Sequence, residues 1–255
     1  MIESLKKSFS AYTKNPFLFL WGSIMYVFML ILFFFATLGL LLIYFIFLSV
    51  IGQEFDLEAI PTIGFLGIIG LAFVFFANGL NASLAWAYHG ALWKEKITLT
   101  SFFSYALEKA PQNFAIQLLR DLIWILVAGP LIALYYFVLI DVAYMDWIIG
   151  LTVAMITFVI HMIFTPAFVS SGAFDAGLYS SLRHGFNVLR RKHIMFIGLY
   201  ILFALTWILN FIPFVQIATI FFLYPVVYGA LIVMTENSSK SKSGRTKKHY
   251  KEEED

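Results

Sequence analysis

The sequence predicts an all-α polytopic membrane protein, with six transmembrane helices, short connections and amphipathic helices lying in the interface. Three observations carry this. The chain divides into long apolar runs. Only 13% of its 255 residues are charged and 61% are hydrophobic, whereas soluble domains are about a quarter charged. Its seventeen Lys and Arg residues all fall in the N-terminus, the even-numbered connections and the C-terminal tail. The odd-numbered connections carry acids alone: Glu54, Asp56 and Glu58, then Asp141 and Asp146. This is the positive-inside bias of a multi-pass protein. It implies a cell-membrane location with both termini cytoplasmic.

The spans are predicted at 17–50, 62–93, 122–140, 147–169, 194–211 and 214–234. A helix needs roughly 20 apolar residues to cross the hydrocarbon core. The third and fifth runs are near that minimum, and the first two exceed it enough to tilt or project beyond the bilayer. Splitting the first run at Thr37-Leu38-Gly39 would invert every later connection and put basic residues outside, so it is one span. It is also too long for a signal-peptide core and is expected to be retained. Together the spans make a membrane domain over 1–237. The remainder, 238–255, is rich in Ser and Lys and ends in Glu252-Glu253-Glu254-Asp255. With no apolar period, it is predicted to be a disordered cytoplasmic tail.

Between the spans lie amphipathic stretches. Ile2, Leu5, Phe9 and Tyr12 share one helical face, and Leu178, Leu182, Phe186 and Leu189 share another, with basic residues off each stripe. Such helices lie in the interface with their apolar face down. Thr100 or Ser101, and Asp175, are candidate N-caps for the two internal ones. Ser4-Leu5, Phe9 and Lys14 have the same spacing as Ser181-Leu182, Phe186 and Arg191. A weaker copy runs through Ser101-Phe102, Tyr105 or Ala106, and Lys109. Each copy precedes a pair of spans, so the unit is an interfacial helix plus a hairpin, used three times.

Polar side chains inside a span are costly and face the bundle interior. The second span is the richest. Asn78 and Asn81 are a turn apart, and His89 falls on the same face as Asn78. Gly64, Gly67, Gly70, Gly79, Ala82, Ala85 and Gly90 let neighbours approach closely, so amides can bond across the contact. Asn78, Asn81 and His89 are therefore the candidate substrate-binding residues, with interhelical adhesion as the competing role. Arg120-Asp121 opens the third span and is expected to pair or to snorkel to the cytoplasmic interface. Gly129-Pro130, Pro166 and Pro225 are expected to break or kink the third, fourth and sixth spans.

The absence of cysteine excludes disulfides, thiolate metal sites and cysteine nucleophiles. His89, His184 and His193 lack metal-ligand spacing, so no metal site is expected. No phosphate loop, nucleophile elbow or paired intramembrane carboxylate is present, which leaves no catalytic residue or cofactor to assign. Expected partners are membrane lipids, with anionic headgroups meeting the basic tail and interfacial helices. No feature points to nucleic acid.

From Thr165-Pro166-Ala167-Phe168, through Gly172 to Asp175, to Leu178-Tyr179-Ser180-Ser181-Leu182-Arg183-His184-Gly185-Phe186 and Arg190-Arg191-Lys192, the chain resembles a group of prokaryotic six-span proteins. That group includes the membrane domain attached to some glycerophosphodiester phosphodiesterases. The resemblance covers the last ninety or so residues. It implies a helical membrane domain without chemistry of its own. Asp175 and Gly177 depart from the Glu-Ala pair usual in that pattern.

The first functional reading is a non-catalytic integral membrane protein that scaffolds or organises membrane components. The alternative is a small transporter or permease with a polar site around the second span. A second alternative is a membrane-embedded lipid enzyme. A polar cavity reaching mid-membrane favours the transporter, a dry bundle favours the scaffold, and a His cluster bonded to Asp121 or Asp175 favours the enzyme.

Overall fold

The computed structural model describes residues 1–53, 55, 56, 59–209 and 212–251, with side chains as far as Asn237. Glu54, Glu58, Asn210 and the side chains of the charged tail, on which some expectations rest, lie outside the described residues. Among the described residues there are helices and no strand. They are α1 (Ile2–Lys14), α2 (Pro16–Val50), α3 (Ile60–Leu92), α4 (Leu99–Leu134), α5 (Met145–Ala173), α6 (Leu178–Leu209), α7 (Val215–Ala218) and α8 (Tyr224–Lys251). Two π-helical segments, Tyr135–Leu139 and Thr219–Leu223, follow α4 and α7. Six helical stretches are long and apolar enough to cross a membrane, so the protein is a multi-pass membrane protein. Their outer faces expose Phe35, Leu42, Ile68, Leu126, Phe137 and Leu151. A bilayer accepts such a surface because the helix satisfies its own backbone.

The predicted interfacial helices are present. α1 is a separate helix, ended at Asn15 (φ −139°, ψ 57°) before Pro16 starts α2. α6 carries one non-helical residue, Lys192 (φ −134°, ψ 29°), which divides an amphipathic arm from the span. Asn15 and Lys192 occupy equivalent positions in the sequence repeat, and their backbones take nearly the same conformation. The middle copy has no break. α4 runs continuously from Leu99 through Pro111, so the helical third span begins well before residue 122.

Each arm packs on the second helix of the hairpin before it, and the first arm closes onto the last hairpin. On α4, Ala106 lies against Gly79 of α3, where a Cβ would overlap the Ala106 carbonyl. On α6, a Cβ at Gly185 would sit 3.1 Å from the Ala167 nitrogen of α5. On α1, Ser8 fills the space over Gly229 of α8 and donates to the Val226 carbonyl at 2.7 Å. Small residues at all three crossings let backbones meet and dispersion contacts form, the main source of helix association where lipid removes the hydrophobic drive.

Aromatic side chains seal the α1–α8 contact. Tyr12 meets Phe222 edge to face at 5.3 Å and donates to the Phe221 carbonyl at 2.9 Å. Burial raises the Tyr12 pKa. The neutral hydroxyl is therefore kept well past neutrality. Its contribution is full below the ordinary tyrosine value and is lost as pH rises through the raised one.

Several local expectations are corrected. The α4 N-cap is Thr98, one turn from the expected position. Its Oγ1 accepts from the Ser101 N–H at 3.2 Å, and Ser101 Oγ accepts from the Thr98 N–H at 3.1 Å. This reciprocal capping box leaves Ser101 as the N3 partner. Asp175 does not cap α6. It sits in the left-handed region (φ 51°) and its carboxylate pairs with Lys109 of α4. Pro130 and Pro166 do not interrupt their helices. Neighbouring helices tolerate the one lost backbone bond, and the π-helical turn at Tyr135–Leu139 follows Pro130 directly.

Replacing Gly79 with Val is expected to destabilise the protein by about 1–3 kcal/mol, the usual cost of overpacking. Gly67 has no atom within 4 Å of where a Cβ would stand, so Gly67→Val leaves stability unchanged. Thermal unfolding of the two variants in detergent measures the difference.

Candidate functional site

A cavity of about 160 Å³ lies between five helices, each of which supplies side chains one turn apart. From α3 come Asn78 and Asn81. Asn113, Gln117 and Arg120 come from α4, and Thr165 and Phe168 from α5. Phe203 and Trp207 of α6 and Tyr224 and Tyr228 of α8 complete the wall. The spacings are i, i+3 and i, i+4, so each set lies on one helical face. Asn78 stands about 21 Å from Leu92 along α3, which puts the cavity at mid-span. The space holds several waters or one small polar group.

The amides form a chain. Asn78 Nδ2 donates to the Val74 carbonyl at 2.8 Å and to Gln117 Oε1 at 2.6 Å. Asn113 Nδ2 donates to the Asn78 carbonyl at 3.1 Å. Asn81 Oδ1 accepts from the Tyr26 hydroxyl of α2 at 2.9 Å. Asn78 therefore both ties α3 to α4 and lines the cavity. Asn113 is 1% exposed, and its Oδ1 has no partner among the described residues. A buried acceptor left unmade costs about 1–3 kcal/mol, so this oxygen marks the wall as unfinished.

Arg120 brings charge to the site. Its Nε and Nη2 both reach Asp121 Oδ1, at 2.8 and 2.7 Å. The pair is internal to α4 and does not snorkel to the interface. The guanidinium also faces the Phe168 ring at 5.9 Å. Two of its five N–H donors serve Asp121, leaving the Nη1 edge for another acceptor. One turn further along, Trp124 Nε1 donates to Thr157 Oγ1 at 2.7 Å and fixes α4 against α5.

His89 is not part of this cavity. It shares a face with Asn78 but lies about 16 Å further along α3, where its ring meets Phe174 edge to face at 5.3 Å. A second polar cluster near that end is structural. Tyr105 donates to the Gly172 carbonyl at 2.7 Å, and Gln112 Nε2 donates to Ser171 Oγ at 2.7 Å and to the Ala176 carbonyl. With the Lys109–Asp175 pair, these bonds hold the 173–177 turn on α4. Among the described residues no three His, Cys, Asp or Glu side chains come together as a metal site.

The sequence reading missed Asn113, Gln117, Arg120, Thr165 and the aromatic wall. The signal was present on α4, since positions 113, 117 and 120 recur at steps of four and three. Hydropathy placed them in a connection because their charge and amides lowered the local average. No family model matches the chain, and neither a curated protein nor a solved structure matches it.

Arg120→Leu is expected to cost about 2 kcal/mol, because Asp121 is left without its partner in a low-dielectric bundle. Arg120→Leu with Asp121→Leu recovers most of that stability, since no lone charge remains. Denaturation of the single and double variants in one detergent tests this, and a double variant less stable than the single one would contradict it.

Proposed function

We propose that this is a non-catalytic carrier of the cell membrane, which takes a small polar group into the mid-span cavity and passes it across. The observation that carries this reading is the cavity itself. It combines a cationic edge, an unsatisfied amide oxygen and an aromatic wall where hydrocarbon surrounds the protein. A scaffold needs no such space, and polar groups within a span are costly unless used. The three-unit construction fits the same reading, because carriers place their sites between internal repeats. An enzymatic role has less support, since Asp121 and Asp175 are engaged by Arg120 and Lys109.

The orientation belongs to the proposal. The end of the bundle bearing the termini and the 93–98 and 174–177 connections carries most of the Lys and Arg, so it faces the cytoplasm. Substrate moves between that side and the opposite one as the hairpins shift at their small-residue crossings.

The chain has no cysteine, so single-cysteine variants report without background. Asp141→Cys is expected to react with a membrane-impermeant thiol reagent in intact cells, and Lys192→Cys only after lysis. Thr165→Cys, in the cavity wall, should react with a small aqueous thiosulfonate in purified protein, whereas Ala128→Cys, fully buried, should not. Labelling of Lys192→Cys in intact cells would reverse the orientation. Failure of Thr165→Cys to react would remove the carrier reading and leave a dry scaffold.

A further inference from the structure

The polar cavity has an apolar neighbour. A groove of about 240 Å³ runs between α2, α3, the Thr219–Leu223 segment and the start of α8, lined by Val27, Leu30, Leu84 and Ile220. The hydroxyls at its floor, on Ser23 and Tyr88, bond each other at 2.7 Å and offer nothing to a ligand. Trp207 and Tyr224 line both spaces. At the boundary, Tyr26 lines the groove and bonds Asn81, which lines the cavity. The two compartments are thus separated by two aromatic rings and one hydrogen bond.

A water-soluble substrate uses only the polar side. An amphiphile uses both. Its hydrocarbon tail moves from the bilayer into the groove with little change of environment, so the tail adds no barrier to entry. The head then meets two demands. The free Nη1 edge of Arg120 requires an acceptor, and phosphate oxygens suit it. Asn113 Oδ1, buried in the same wall without a partner, requires a donor. A phosphate alone supplies only the first. The Arg120–Asp121 pair is neutral as a unit, so it disfavours a head with several negative charges.

We infer that the ligand is a phospholipid whose head carries an ammonium or hydroxyl donor beyond its phosphate, seated with the head in the Arg120 cavity and one acyl chain in the groove beside α2. This rests on the carrier reading and names its substrate class. Donor and acceptor together distinguish two lipids of equal charge and shape class: phosphatidylethanolamine has N–H donors, whereas phosphatidylcholine has none.

The test uses the full-length protein, reconstituted with equimolar dioleoyl-phosphatidylethanolamine and dioleoyl-phosphatidylcholine, then released for native mass spectrometry. The expected result is about tenfold preferential retention of phosphatidylethanolamine, as one buried hydrogen bond of about 1.4 kcal/mol would give. Asn113→Leu should abolish the preference. Val27→Trp, which fills the groove away from the polar wall, should abolish retention of both lipids while leaving thiosulfonate labelling of Thr165→Cys intact. Equal retention of both lipids, insensitive to either substitution, means annular lipid only and overturns the inference. No lipid retained but Thr165→Cys labelled also overturns it, while leaving a carrier of some water-soluble solute. No lipid retained and no labelling removes both readings.

Discussion

At the crossing of α3 and α4, Gly79 lies so close to the Ala106 carbonyl that no side chain fits between the two backbones. This approach sets the geometry of what surrounds it. It brings Ser83 within 2.8 Å of the Phe102 carbonyl on one side and Asn78 within reach of Asn113 and Gln117 on the other. Had either helix carried a larger residue here, the amides would face each other across too wide a gap to bond. In hydrocarbon such contacts form only where backbones meet, because lipid tails compete equally well for apolar side chains. The polar cavity therefore opens where the tightest contact ends.

The same device closes the bundle. α1 covers α8 through Ser8 and Gly229, as α4 covers α3 and α6 covers α5. Each unit hands its arm to the neighbour before it, and the first arm takes the place left at the end of the chain. The units differ in how the arm meets its span. Asn15 and Lys192 leave the helical region, whereas α4 stays helical past Pro111. That difference has a consequence for the site. An unbroken α4 carries Asn113, Gln117 and Arg120 from the arm into the bundle interior, where a broken helix would redirect them.

Burying an arginine and several amides in a membrane is unfavourable unless each finds a partner. Here most do. Arg120 has Asp121, Asn78 has Gln117, and Asn81 has Tyr26. Asn113 Oδ1 remains, beside an aromatic wall shared with an apolar groove. Tyr88, Tyr224 and Tyr228 stack against one another with ring centroids 5.4 to 6.4 Å apart. They give that wall a fixed shape at low entropic cost, since each ring has two rotatable bonds. A rigid wall next to an unfilled acceptor is the arrangement of a site formed before its ligand arrives.

Composition and periodicity determined that the chain is helical and spans a membrane six times. The amphipathic stripes placed the arms, and the repeat marked where they break, because helix formation in hydrocarbon depends on local backbone bonding and residue transfer energies. The sequence also singled out Asn78 and Asn81, since an amide inside an apolar run stands out by itself. It could not separate His89 from them, because a shared face says nothing of position along the axis. It placed Asn113, Gln117 and Arg120 in a connection, because average hydropathy reads a polar face as an exposed one. Which faces meet, and what space is left between them, is set by side-chain volumes at crossings far apart in sequence. Those contacts, made by Gly79 on Ala106 and Ser8 on Gly229, exist only once the helices are packed.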